Sequence, residues 1–285
     1  MNLLVTGAAG MLAKALVPAL EAAGHDVLAP VEAEFDVTRP PDSLVHGIES
    51  WRTDWVIHLA AFTKVDDCES QPERARAVNT EGSRNVAIAA HQAGAGMVAI
   101  STDYVFDGRA TTPYREDHPA APQSVYGTTK WEGEQAVRET VSRHQIVRTA
   151  WLYGAGGPNF VDTILRKARA GERLKVVDDQ RGSPTFTVDL AEGLTRLLAT
   201  GRTGTFHCTN SGDCTWYDLA AHVIAHAGAA TSLERTDSAG FPRPAKRPAY
   251  SVLSNAAFEA ATGWRMPHWK DAVNRYLESS VPAAG

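Results

Sequence analysis

Tyr126-Gly127-Thr128-Thr129-Lys130 places a phenol and an ammonium four residues apart. On a helix that spacing puts both side chains on one face. A cation beside a phenol favours the phenolate and lowers its pKa from about 10. Such a pair can pass a proton to or from an oxygen near neutral pH. Alone, the pattern is common on solvated helix faces. What sets this one apart is Ser101-Thr102-Asp103-Tyr104, at the end of an apolar run, with Thr102 lying 24 residues before the tyrosine. The carboxyl ends of strands in an open parallel sheet face the ligand crevice, so a hydroxyl there can hold the same substrate oxygen.

A second chemical device stands at the start of the chain. Gly7-Ala8-Ala9-Gly10-Met11-Leu12-Ala13 follows an apolar run and opens a helical pattern. Glycines let the backbone approach a pyrophosphate closely, and a helix N-terminus offers free N–H groups and a positive dipole. The spacing is G-x-x-G-x-x-A, and the plain alternative is an ordinary strand–turn–helix connection; its place directly after a strand favours cofactor binding. Asp36-Val37 follows the second strand and could meet adenine or ribose, or be an exposed loop acid or helix cap. An Arg near that strand end would favour a ribose phosphate, and Arg39 is a weakly placed candidate, so these residues leave NAD(H) against NADP(H) open. Ala60 and Ala61 end the third strand with small side chains that leave room for a cofactor, although for these residues alone core packing is the better account.

The elements that must position these groups alternate. Strands are expected at Leu3 to Thr6, Asp26 to Ala29, Trp55 to Leu59, Met97 to Ser101 and Gln145 to Thr149. Helices are expected between them: one carrying Leu12, Leu16 and Leu20, which Pro18 should kink or deprive of a hydrogen bond, then Asp42 to Ser50, Glu73 to Ala93 and Tyr126 to Arg143. This alternation implies right-handed crossovers and an α/β fold, a doubly wound parallel sheet of Rossmann-like type. Residues 1–150 would form the dinucleotide-binding domain. Residues 151–285 would mainly form a smaller C-terminal substrate-binding lobe, with part of 183–210 returning to the first domain. In that half, helices are expected at Phe160 to Ala170, Val188 to Ala199, Asn255 to Thr262 and Trp269 to Leu277, with a strand at Thr205 to Thr209. Thr215-Trp216-Tyr217-Asp218 has capping-box spacing. The long spans Glu73 to Ala93 and Tyr126 to Arg143 could equally form a homodimer face or be covered within one chain.

Composition narrows the function classes. The chain has 285 residues, 44% of them hydrophobic and 21% charged, which excludes a disordered or fibrous protein. The net charge of −5 argues against nucleic acid or an anionic membrane as the main partner. No apolar run of about 18 residues suggests a membrane span, and Met1 to Gly7 lacks the basic flank of a signal peptide. Three cysteines, Cys68, Cys208 and Cys214, fit a reduced, cytoplasmic setting. His207, Cys208 and Cys214 lack metal-site spacing, and no metal is expected. Ser183 is in no nucleophile elbow, and no P-loop is present. Asp66-Asp67-Cys68-Glu69 reads as a solvated helix entry, and Asn79 as a structural residue or a proton relay.

Taken together, Gly7/Gly10, Thr102 and Tyr126/Lys130 resemble the extended short-chain dehydrogenase/reductase family. More narrowly, Ser101-Thr102-Asp103-Tyr104-Val105-Phe106-Asp107-Gly108 resembles the S-T-D-Y-V-F-D-G signature of the dTDP-4-dehydrorhamnose reductases. Arg148 to Gly154, Asp179 to Thr185, Thr215 to Asp218 and Arg247 to Leu253 extend the resemblance nearly end to end. It departs at Ala13, where a third glycine is usual, and at Val252, where a basic residue is common. The resemblance implies hydride transfer from NADPH or NADH to C4 of a dTDP-linked 4-keto-6-deoxyhexose. In it, Tyr126 would be proton donor, Lys130 would lower the tyrosine pKa and hold the nicotinamide ribose, and Thr102 would bind the carbonyl oxygen. It further implies a sugar site lined by Tyr104 and Trp151, each of which could instead be a core aromatic, with Lys64-Val65-Asp66 after the third strand, Val65 at its centre, as a further border. Asn159 could hold the nucleotide sugar or diphosphate or be an ordinary N-cap, and Arg247 could pair with the diphosphate or be a solvated loop residue. The rivals are reduction of another dTDP-4-keto-6-deoxysugar and a non-catalytic nucleotide-binding regulatory subunit.

Overall fold

The computed structural model describes residues 1–279. Its first half reads β1 (Asn2–Thr6), α1 (Met11–Ala22), β2 (Asp26–Leu28), α2 (Pro41–Ser50), β3 (Trp55–His58) and α3 (Val65–Ser70). α4 (Pro72–Ala75) continues through a π-helical turn, Arg76–Glu81, into α5 (Gly82–Gln92), followed by β4 (Gly96–Thr102), α6 (Val125–Thr140) and β5 (His144–Thr149). β6 (Leu152–Tyr153), α7 (Phe160–Arg169), β7 (Leu174–Val177), β8 (Arg181–Gly182), β9 (Thr185–Phe186), α8 (Thr187–Ala199) and β10 (Gly204–His207) come next. β11 (Cys214–Thr215), α9 (Trp216–His226), β12 (Leu233–Thr236), α10 (Ala256–Thr262) and α11 (Trp269–Ser279) complete it.

Six strands form one sheet in the order β10-β5-β4-β3-β1-β2, every pair parallel. The order reverses beside β1, so the chain winds outward in both directions from that strand. Such a reversal opens a crevice at the carboxyl ends of the strands. The sheet's side chains alternate between two buried faces. Leu3, Val5, Trp55, Ile57, Val98 and Val147 pack with Leu12, Leu16 and Leu20 of α1, with α8, and with Phe258 of α10. Leu4, Val56, Met97 and Ile146 pack with α2, α5 and Val137 of α6. A sheet buried on both faces explains why its strands read as continuous apolar runs.

A third core belongs to the C-terminal lobe, where Val161, Ile164 and Leu165 of α7 meet Leu219 and Val223 of α9 and Val273 and Tyr276 of α11. The expected capping box at Thr215 and Asp218 is formed in both directions. Helix α1 continues through Pro18, which sits on its exposed face and cannot donate to the carbonyl one turn back, so one hydrogen bond is lost, one of the two outcomes expected. One feature differs from the sequence reading. The span expected as one helix from Glu73 carries the π-helical turn and is preceded by the unforeseen α3.

The π turn lies where α6 comes closest. A Cβ on Gly133 would stand 2.4 Å from the Asn79 carbonyl oxygen and 3.1 Å from Ser83 Oγ. Thr80 Oγ1 donates to the Thr129 carbonyl at 3.0 Å, and Asn79 Nδ2 donates to Thr129 Oγ1 at 3.2 Å. Gly133→Ala should therefore push α6 off the turn. Because the clash is with backbone, it should outweigh alanine's better helix propensity and cost about 1–3 kcal/mol in urea unfolding.

Candidate active site

The β1–α1 turn is built for close approach. Gly7 has φ of +70°, and a Cβ there would lie 2.7 Å from the Ala60 backbone nitrogen. Gly10, the N-cap of α1, makes no side-chain cap, and Ala9 and Gly10 are exposed. The first turn of α1, with Met11 and Leu12, thus presents backbone N–H groups outward. That is the surface a dinucleotide pyrophosphate needs. Ala60 and Ala61 follow β3 beside it, half-buried. Asp36 Oδ1 accepts from Thr38 N at 2.9 Å and Thr38 Oγ1 at 2.7 Å. Those two bonds hold its carboxyl below the usual range. Val37 is buried against Gly82 at the start of α5. The residues present fit a nicotinamide dinucleotide.

Across the crevice, consecutive residues at the end of β4 engage successive turns of α6. The Thr102 hydroxyl reaches Tyr126, and Lys130 Nζ donates to the Ile100 carbonyl at 2.7 Å. Ser101 Oγ donates to Glu134 Oε1 at 2.5 Å. Ser124 caps α6 by accepting from Gly127 N, and the edge of Tyr126 meets Tyr104 with ring centroids 5.5 Å apart. The two rings can approach because Gly127 lies against the Tyr104 carbonyl, where no Cβ would fit.

The electrostatics correct one expectation. The Tyr126 hydroxyl is not lowered overall: burial pushes it well above its ordinary value and outweighs the lowering effect of the Thr102 hydrogen bond. Burial also draws the Lys130 ammonium down to about 8, while Glu134 pulls the other way. Dehydration outweighs the pairing that the sequence spacing suggested. The phenol is therefore fully protonated at neutral pH, the state a proton donor requires.

The substrate-side residues are more interlocked than the sequence indicates. Arg247 is no solvated loop residue: Nη1 donates to Tyr104 OH at 2.7 Å and Nη2 lies 3.0 Å from Asp66. Arg243 Nε and Nη2 reach the same carboxylate at 2.9 and 2.5 Å, and Ala245 N donates to it at 3.2 Å. Asp66, expected as part of a solvated helix entry, is instead the anchor for residues 242–248, a stretch with prolines at 242, 244 and 248, and Glu69 accepts from Val125 N. Val65 opens α3 on the same side. Trp151, with φ of +47°, stacks on Trp216 at 3.6 Å and 6°. Gly182 makes room, since a Cβ there would touch the Trp151 ring at 2.5 Å. A left-handed backbone at a bulky residue stores strain that surrounding packing must hold. Asn159 is engaged elsewhere than the sugar: it caps α7 by accepting from Asp162 N, and its amide donates to Gly154 O and Tyr276 OH. Asn79 brackets Phe62, accepting from its N–H and donating to its carbonyl. Signals in the sequence that would have found Glu134 and Arg148 existed, namely an acid in phase with Tyr126 and Lys130 and an arginine inside an apolar strand. None existed for Asp66 and Arg243, which lie 177 residues apart.

Asp103 lies at the floor of this site. It is buried, and burial raises its carboxyl to about 6. Thr102 Oγ1 donates to its Oδ1 at 3.1 Å, and the Ser251 hydroxyl beside it also works against the effect of burial. A carboxyl raised in the fold binds more protons than in the unfolded chain, so stability falls as pH rises from about 4 to about 6. Asp103→Asn removes that loss. Its melting temperature should exceed the parent's at pH 7.5, by a gain on the order of 2 kcal/mol, and match it near pH 4. An equal difference at both pH values would contradict the buried charge.

Comparison with known proteins agrees with this geometry. The family model described as the RmlD substrate binding domain matches residues 1–281. A dTDP-4-dehydrorhamnose reductase of Streptomyces griseus is 43% identical over 99% of this chain and 95% of its own. A probable dTDP-4,6-dihydroxy-2-methyloxan-3-one 4-ketoreductase of Streptomyces antibioticus is also 43% identical, over 99% and 97%. The crystal structure of dTDP-4-dehydrorhamnose reductase from Bacillus anthracis in complex with NADP superposes with a TM-score of 0.94, at 35% identity, covering 98% of this chain and 99% of that one. With a doubly wound sheet and the whole described chain accounted for, this protein belongs to the extended short-chain dehydrogenase/reductase family, in its dTDP-4-dehydrorhamnose reductase subfamily.

Proposed function

We propose that the protein reduces the C4 ketone of a dTDP-linked 4-keto-6-deoxyhexose with NADPH or NADH, converting dTDP-4-dehydrorhamnose to dTDP-rhamnose. The observation that carries this reading is the convergence of Thr102, Tyr126 and Lys130 at the end of β4, facing the same crevice as the Gly7–Gly10 turn. When bound, the reduced nicotinamide supplies the hydride to C4. Gly7, Gly10, Met11 and Leu12 would hold the pyrophosphate, and Asp36 and Val37 would serve the adenosine end.

The chain's own residues handle the oxygen. Thr102 and Tyr126 donate hydrogen bonds to the ketone oxygen, where negative charge develops. As C4 gains its hydride, the Tyr126 O–H bond breaks and the proton moves to the alkoxide, leaving a phenolate. The Lys130 ammonium stabilises that phenolate and reaches the nicotinamide ribose. A general acid of this kind contributes about 10²–10⁴-fold. Tyr104 and Trp151 offer aromatic faces to the apolar side of a deoxysugar, and Val65 borders them. Arg247 takes the diphosphate; the Asp66 carboxylate that now holds it is the same kind of partner a phosphate is.

A second reading, reduction of a different dTDP-4-keto-6-deoxysugar, draws on the Streptomyces antibioticus relative's name. A regulatory nucleotide binder would have no use for the intact Thr102, Tyr126 and Lys130. No helix of the described residues is long and apolar enough to cross a membrane. Three buried free cysteines suit the cytoplasm.

Oxidation of reduced cofactor is followed with a panel of dTDP-keto sugars; cofactor binding without oxidation on any of them rejects the reading. Tyr126→Phe should lose at least about 100-fold in kcat with cofactor affinity unchanged by fluorescence titration. Arg247→Ala should raise KM for the sugar nucleotide by about tenfold, the effect of one lost charge-assisted contact, while leaving cofactor affinity alone.

A further inference from the structure

Glu134 is fixed from three sides in a dry interior. Its side chain is 2% exposed, as is that of Arg148, whose Nε and Nη2 donate to Oε1 and Oε2 at 2.9 and 2.8 Å. Ser101, next to Thr102 in β4, donates to Oε1. On α6, Glu134 follows Lys130 by one turn and Tyr126 by two, on one stripe. A single carboxylate thus ties together the strand that carries Thr102, the strand that carries Arg148 and the helix that carries Tyr126 and Lys130.

We propose that Glu134 is a positioning residue of the reaction, clamping β4 and β5 to α6 through Ser101 and Arg148 and keeping the Lys130 ammonium charged. The inference rests on the reductase reading above. Dehydration would otherwise discharge Lys130, which burial has already drawn down to about 8, and Glu134 is the group that opposes this. The other groups around this stripe do not replace it. His58 of β3 is pushed down to about 3 by burial and by Lys130, so it stays neutral. His207 of β10, beside Arg148, is likewise about 3. Asp103 lies beside Tyr126 and Thr102. Cys68 of α3 stays a thiol, raised to about 11. Arg138, next on α6, and Arg148 are cations already paired with Glu134, with Glu116 beyond Arg148.

Both Tyr126 and Lys130 must be protonated for reduction, and Lys130 titrates first, so kcat/KM should fall as pH rises past about 8. Lys130→Arg, which cannot titrate, should abolish that limb. Glu134→Gln should move it to lower pH by roughly 1. The variant should recover to within about threefold of the parent at pH 6.5, whereas on the limb itself its charged fraction of Lys130 should be about tenfold smaller. Glu134→Asp keeps the charge but shortens the reach; its limb should stay in place while kcat drops several-fold with KM for the sugar nucleotide unchanged. If Glu134→Gln does not fold, Glu134→Asp decides. A second arm needs no turnover. The urea destabilisation caused by Glu134→Gln should be larger at pH 7, where Lys130 is charged, than at pH 9.5. A limb that does not move, a Glu134→Asp variant with parental kcat, or equal destabilisation at both pH values overturns the proposal. Parent protein that oxidises no cofactor on any dTDP-keto sugar defeats the reductase reading instead, and the urea arm still decides the role of Glu134.

Discussion

Charge kept without water is the constraint around which this site is organised. Lys130 and Arg148 are both buried, and a buried cation is tolerated only when an anion and further hydrogen bonds compensate it. Glu134 meets Arg148 bidentately and Ser101 by its remaining capacity, so no lone pair facing them is left idle. Removing one partner from such a pair costs about 3–5 kcal/mol, because the other charge is left stranded. The arrangement therefore has little freedom to drift. The strand end and the helix that share it are locked in one relative position, and that position sets the distance between a threonine hydroxyl and a tyrosine hydroxyl.

The same sharing of partners governs the outer side of the cleft. Asp66 accepts from Arg243, Arg247 and the Ala245 backbone, so one carboxylate anchors a segment that begins and ends in proline. Arg247 passes the restraint on to Tyr104, and Tyr104 meets Tyr126 edge-on. Tyr126, the proposed proton donor, is thus braced by the end of β4 on one side and by the C-terminal segment on the other. Trp151 holds a left-handed backbone while Trp216 stacks on one face of its ring and Gly182 leaves room beside the indole nitrogen. The Trp151 side and helix α6 are therefore held in different ways, by stacking on one and by ion pairing on the other.

Local pattern makes the core elements legible. The parallel sheet, the phosphate-type turn at Gly7 and the Thr215 capping box all follow from neighbours within a few residues, and each is present. What sequence does not supply depends on distance or on solvent. The parallel pairing of β7 with β12 joins Leu174 to Leu233, and the Asp66–Arg243 pair joins residues that share no sequence neighbourhood. The π turn at Arg76–Glu81 arises beside the close approach of Gly133 on another helix. Asn159 is ambiguous in sequence because an N-cap and a ligand contact use the same amide; its carbonyl and amide are both committed to the cap and to α11. The phenol–ammonium pair is legible in its place and misleading in its balance, because spacing reports proximity and says nothing about dehydration.

That balance bears on direction. An activated phenolate suits oxidation of an alcohol, since the base must accept a proton. A phenol held above its ordinary pKa suits reduction of a ketone, since the proton is already on the donor and is released only when an alkoxide forms beside it. In the proposed reaction, burial keeps Tyr126 protonated as the donor, and the ammonium one turn along the helix would act later, on the phenolate that proton transfer leaves behind. A site that stabilises the charge only after it appears favours the transition state over the resting enzyme. The raised phenol and the lowered ammonium are in this sense two consequences of one dry pocket: the first keeps the proposed donor protonated, and the second is a cost that Glu134 opposes.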